Sequence, residues 1–176
     1  MPRSRSLLSV ALGALLLVGV SCSSSVGPED APGTMSFETL ARSSDYETVA
    51  KGQDGGYDFT ERQNIVFESQ EGFASFWEAL HGNASDPPPA PSIDFAADTR
   101  VVAVLFGTQP TGGYRIEVND VERSGDEATV HTTETAPGAG CVVTQALTSP
   151  YHVIEVSNVP AEGFTFESTR QKSSCE

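Results

Sequence analysis

The run Val101 to Phe106 is apolar at every position, and it constrains the fold of this chain more than any other segment. A strand of that composition belongs in the middle of a sheet, with both faces covered. One cover is written just upstream. Phe73, Phe76, Trp77 and Leu80 fall at i, i+3, i+4 and i+7, which is one face of an α-helix. Ser69 is placed to cap its amino end, Glu71 puts a negative charge in its first turn, and Gly82 marks its stop. The segment Asn83 to Pro91 then holds four prolines, which lack an amide donor and restrict their neighbours. It reads as an extended, solvent-facing connection.

Beyond Arg100 the chain is β-rich almost to its end. Tyr114, Ile116 and Val118 alternate with Arg115, Glu117 and Asn119, so one side of that strand is buried and one is wet. Ser124 to Asp126 make a turn into a strand begun by Ala128 and Val130. A second turn at Ala136 to Gly140 leads into an apolar segment with Val142, Val143 and Leu147. Tyr151 to Val156 and the pair Phe164 and Phe166 supply the last strands. Upstream, Gln63 to Glu68 carries a short β-like run, and Thr34 to Gly56 is weakly patterned, with Phe37, Leu40, Tyr46 and Val49 as core candidates. The fold class is mainly β (α+β). About six strands form a mostly antiparallel sheet or partly closed β-sandwich, with one amphipathic helix packed on it.

The amino end carries different information. Arg3 and Arg5 precede the apolar run Leu7 to Val20, the form of a secretory signal and too short to cross a bilayer, which needs about 20 apolar residues. Small residues and Cys22 follow, so residues 1–21 read as a signal peptide and Cys22 as the acceptor of a lipid. Cleavage nearby to give a soluble secreted protein, or retention of an unprocessed anchor, are the alternatives. Residues 22–33 are a flexible tether too poor in apolar residues to repay the entropy of ordering. Residues 34–176 are long enough for one core and short for two.

Removing the leader takes two of ten basic residues and no acidic one, leaving eight against twenty-four, a formal charge of -16. Such a surface excludes nucleic acid and anionic lipid as partners, because both are held by neutralising phosphate. The only membrane contact expected is therefore the lipid. The charge serves solubility or presents an acidic face to a basic partner.

No catalytic residue, cofactor site or metal site is read from the sequence. His81, His131 and His152 each lack a neighbour at metal-ligand spacing. Ser149 and His152 would fall on opposite faces of a strand. Gly107, Gly112 and Gly113 are followed by no Lys-Ser/Thr pair, so they do not make a phosphate loop. Gly112 and Gly113 serve a tight turn, a contact surface, or both. Cys141 and Cys175 remain after Cys22, and in an oxidising compartment they are expected to pair, the alternatives being free thiols or a bond to another chain.

Two motifs carry a family resemblance. Phe106-Gly107-Thr108-Gln109-Pro110-Thr111-Gly112-Gly113-Tyr114 with the strand after it, and Thr144-Gln145-Ala146-Leu147-Thr148-Ser149-Pro150-Tyr151, stand about thirty residues apart. Together with the Phe76-Trp77 helix they resemble the C-terminal domain of the protease complex subunit PrcB family, over about 63–167. The resemblance implies a non-catalytic lipoprotein of the bacterial cell envelope, at the outer membrane or cell surface, that binds and stabilises a secreted protease. The partner is otherwise another envelope protein. Pro110 to Tyr114 also resembles a loop of chagasin-type cysteine peptidase inhibitors, although Gln109, Gly112 and Ile116 depart from that pattern. A β-sandwich inhibitor is the alternative function.

The neighbouring strands already account for the core, so a partner surface is expected on Gln109, Pro110, Thr111, Gly112, Gly113 and Tyr114 together with Thr148, Ser149, Pro150 and Tyr151. Tyr114 and Tyr151 are each either a core ring or an exposed anchor. At the other end of the chain, Cys22→Ser is expected to move the protein from the membrane fraction to the soluble one and to abolish labelling by a radioactive fatty acid. Membrane retention of that variant would refute lipid anchoring.

Overall fold

The computed structural model describes residues 33–44, 56–82, 84–96, 98–159 and 163–174. Tyr46, Val49 and Cys175, named above, lie outside them, as do the leader, Cys22 and the tether.

Eight strands and one helix follow in the order β1 (Gly33–Thr34), β2 (Phe37–Ser43), β3 (Gln63–Phe67), α1 (Gln70–His81), β4 (Arg100–Leu105), β5 (Arg115–Ser124), β6 (Glu127–Pro137), β7 (Tyr151–Val156) and β8 (Gly163–Ser173). They form two four-stranded sheets, ordered β2-β7-β4-β3 and β1-β5-β6-β8. The first is antiparallel throughout. In the second, β8 runs parallel to β6, the one departure from antiparallel pairing among the described strands. The architecture is three layers: helix, first sheet, second sheet.

Strand β4 sits at the junction of two cores. Val101, Ala103 and Leu105 point to the helix side and pack with Phe59, Phe67, Phe73, Phe76, Trp77 and Leu80. Val102 and Val104 point the other way, to Ile116, Val118, Val121, Ala128 and Val130 of the second sheet. The two-faced burial expected of this strand is thus met by different layers. Strand β7 repeats the division, with Val153 on the helix side and Ile154 and Val156 between the sheets.

Helix α1 forms where the spacing predicts. Ser69 adopts extended angles, and its hydroxyl accepts from Gly72 N–H at 3.3 Å. Its buried face is Phe73, Phe76, Trp77 and Leu80. Gly82 ends it in a right-handed conformation (φ -62°), so the stop owes nothing to a left-handed glycine. The proline segment is more closely tied than expected. Trp77 Nε1–H donates to Pro88 O at 3.0 Å, and the Gln70 side chain donates to Pro91 O and accepts from Ile93 N–H, each at 3.0 Å. These bonds lay the connection back along the helix and bring Ile93 into the core.

Two readings of the chain need correction. Strands β1 and β2 lie in the segment that looked unpatterned, because β2 is an outer strand with mostly half-exposed side chains and a bulge between Thr39 and Ala41 that breaks its alternation. The apolar segment Val142 to Leu147 is loop, with Val142 fully exposed and Leu147 about half so.

Phe76 meets Tyr57, Phe59 and Phe67 at centroid distances of 5.2, 5.9 and 4.9 Å and is fully buried. Phe76→Ala is expected to cost about 3–5 kcal/mol in urea unfolding, against about 1 kcal/mol for loss of the cap in Ser69→Ala. Equal costs would contradict this account of the helix.

Candidate functional site

The two motifs, far apart in the chain, are hydrogen-bonded to each other. Gln109 N–H donates to Thr148 O at 2.7 Å, and Thr148 N–H donates to Gln109 O at 3.0 Å, a one-pair antiparallel bridge. Gly112 N–H donates to Thr144 O at 2.9 Å, the Thr148 hydroxyl to Thr111 O at 3.0 Å, and Phe106 N–H to Pro150 O at 2.9 Å. Two loops that leave adjacent regions of the two sheets become one platform at one end of the sandwich.

The glycines permit this. A Cβ on Gly112 would collide with the Thr144 hydroxyl, so the second loop packs directly on the bare glycine backbone. Gly113 has φ +85°, a conformation costly for other residues.

The platform divides the expected contact residues into two groups. Thr148, Ser149, Pro150 and Tyr151 are buried, as is Gly112. Tyr151 is a core ring on the helix side. The expectation that Thr148 and Ser149 have no interior to fill is therefore corrected: both are about 97% buried, and Thr148 is the latch between the loops. Pro110 and Gly113 are exposed, and Gln109, Thr111 and Tyr114 are half-buried. The Tyr114 ring rests edge-on against Phe106 at 6.2 Å. The exposed remainder of the second loop is Val142, Thr144, Gln145 and Leu147, of which Val142 and Leu147 are noted above only as members of an apolar segment.

The three histidines have structural places. His81 Nδ1–H donates to Trp77 O at 3.0 Å, and its ring lies on Trp77 at 4.4 Å. His131 stands between Glu122 and Glu167, at 3.4 and 3.5 Å, on the outer face of the second sheet. His152 crosses between the sheets. Its Nδ1 accepts from Val118 N–H and its Nε2–H donates to Thr39 Oγ1, both at 2.9 Å. The amide it accepts from fixes the tautomer. With both nitrogens engaged, His152 has none left to activate Ser149. The Ser149 hydroxyl is buried with no hydrogen-bond partner among the described residues. Among those residues no group of three or more His, Cys, Asp or Glu is arranged to hold a metal ion.

An ion cluster forms around one buried carboxylate on β6. Glu134 is about 1% exposed and accepts from Arg62 Nε–H at 2.7 Å and Arg170 Nε–H at 2.9 Å. Burial would raise its pKa, but the hydrogen bonds and charge of Arg170 and Arg62 outweigh it and hold the carboxyl below its ordinary value. The sequence carried a signal for this cluster. Ala128, Val130, Thr132 and Glu134 share the inward parity of β6, and an acid at an inward position requires a cation.

His152 gives a pH prediction. Burial, and then the charge of Arg42, push its pKa down to about 4 from 6.5, with Glu117 partly opposing. The unfolded chain then binds a proton that the folded one does not between those values, so stability falls as pH drops through that window. The loss is about 3 kcal/mol. In urea titrations His152→Gln is expected to be less stable than the native protein at pH 7 and to lose most of that deficit by pH 4. A deficit independent of pH would overturn the assignment.

The comparisons with known proteins bear on this same unit. No curated protein and no solved structure gives a significant match to the chain. Residues 100–157 match the family model described as PrcB C-terminal. The match begins at the first residue of β4 and ends just past β7, a narrower span than 63–167, and it encloses both loops of the platform. The matched segment, about a third of the chain, is the one that builds the platform and the central strand beneath it, and it is similar to the PrcB C-terminal family over that span.

Proposed function

We propose that this protein is a non-catalytic subunit, anchored by a lipid on Cys22 outside a bacterial membrane, whose two-loop platform docks and stabilises an exported protease. The observation that carries this reading is the platform itself: the two family motifs are latched together by five hydrogen bonds, and the latched loops expose Val142, Leu147 and Pro110, with Thr111 half-buried beside them. A rigid loop pair needs no ordering on binding, so exposed apolar side chains on it contribute nearly their full burial.

The inhibitor alternative asks the Pro110 to Tyr114 loop to project into a cleft. Here Gly112 is buried against Thr144 and Tyr114 leans on Phe106. That arrangement favours a broad contact over an inserted wedge. A Cys141–Cys175 bridge belongs to the same reading of an exported protein. It is supported by Ser173, two residues before Cys175, whose Oγ lies 3.7 Å from Cys141 Sγ. The bridge would fasten the end of β8 to the start of the second loop.

The test is a pull-down from the native envelope with the mature domain. A Thr111→Arg, Leu147→Asp double variant is expected to lose the co-purifying protease while its thermal unfolding changes little, since Leu147 is exposed and Thr111 is only half-buried. Ser149→Ala is expected to keep the partner and to be as stable as the native protein or slightly more so, because its hydroxyl is buried without a bond. Retention of the partner by the folded double variant would return both loops to a purely structural role.

A further inference from the structure

On one flank of the sandwich, β2 is the outer strand of the first sheet, and β5 is covered in the second only by the two-residue β1. Both strands carry a bulge, between Thr39 and Ala41 in β2 and between Val118 and Asp120 in β5. His152 joins them at that level by its bonds to Thr39 and Val118. Bulges blunt an edge as a template for further strands. Between the bulges and the platform, Arg115 to Glu117 have no strand on their outer side among the described residues. A cleft of about 350 Å³ opens there, walled by Arg42 and Ser43 on one side and Tyr114, Arg115 and Glu117 on the other.

The charge of this cleft runs against that of the molecule. Only eight basic residues follow the leader, against twenty-four acidic ones, and two of the eight face this one opening. Arg42 is tied to Glu117. The Arg115 guanidinium makes no ion pair or hydrogen bond among the described residues, and neither does the Tyr114 hydroxyl. An unengaged guanidinium presents a fork of donors that matches a carboxylate in two bonds. The neighbouring edge of β5 offers backbone groups to an extended chain.

We propose that this cleft is a carboxylate-binding site for the C-terminal end of a partner polypeptide, its last residues laid along Arg115 to Glu117 and its terminal carboxylate on Arg115. The usable edge settles which kind of segment fits. It is three residues long and closes at the bulge, so a strand passing through has nowhere to continue, whereas one that ends there needs no more. This deepens the docking reading, because it names the part of the partner that enters beside the platform.

The experiment is an NMR titration of the labelled mature domain with acetyl-Ala-Ala-Ala-Val as the free acid, with the same peptide as its C-terminal amide, and with acetyl-Ala-Asp-Ala-amide. The free acid is expected to shift the Arg115 Nε and Ile116 amide signals saturably, and the two amides to bind at least about tenfold more weakly. Arg115→Gln is expected to lower free-acid affinity by about tenfold with unfolding unchanged. No saturable shift, equal binding of acid and amide, equal binding of the internal aspartate, or full affinity in Arg115→Gln would each overturn the proposal. Because the Thr111→Arg, Leu147→Asp variant leaves the cleft walls intact, it is expected to bind the free acid normally, so the platform and the cleft can fail separately.

Discussion

Strand β4 has no side turned to water. Its alternate side chains complete two different cores, and each core is built from elements that do not otherwise meet: the aromatic helix and Phe59 on one side, the β5–β6 hairpin on the other. A fully buried aliphatic side chain contributes about 1.5–3 kcal/mol, and five consecutive β4 residues are buried. The layers therefore cannot be loosened one at a time. The platform inherits this rigidity, because its first loop leaves the end of β4 and its second enters β7, the strand paired to β4 in register from Arg100–Val156 to Leu105–Tyr151.

Apolar packing alone would allow the second sheet to slide over the first. Polar groups at the interface restrict it. His152 accepts the Val118 amide at the β5 bulge, where the ladder to β6 shifts, and Glu134 of β6 accepts from Arg62 in the lead-in to β3. Each bond is lost if the sheets shift by a residue, and a carboxylate left unpaired in that interior would be costly. The work of these groups is to fix the register on which the geometry of the loops depends.

Periodicity made the inner parts of the fold legible. The helix was readable from four residues at helical spacing, β4 from its unbroken apolar run, and β5 from strict alternation, because burial imposes those patterns directly. The outer strand β2 was not readable, since a strand half in water needs no clean alternation and a bulge resets the parity. The loop Val142 to Leu147 was misread for the converse reason: apolar residues normally mark burial, and here they are presented outward. At the candidate site the sequence identified both loops and could not sort them, because Thr148 and Ser149 look like surface residues until the bridge to Gln109 is known. Arg115 and Arg42 were invisible as a pair. They lie on strands of different sheets, 73 residues apart in the chain.

The strand order has a consequence for how the chain acquires this structure. Among the described strands β2 pairs only with β7, more than a hundred residues later, with Thr39 opposite Ile154. The second sheet is finished by β8, lying parallel to a strand some 36 residues before it. Distant pairings of this kind carry a large entropic barrier before any contact rewards them, so folding is slow relative to chains closed by local contacts. Strand β2 therefore stays without its partner strand until the chain through β7 is present. The helix with β3 and β4 is local and can assemble earlier, sheltering its aromatic residues during that interval. Sequence separation thus favours the helix layer as the part that closes first, with the pairing of β2 to β7 and of β8 to β6 completing the two sheets around it.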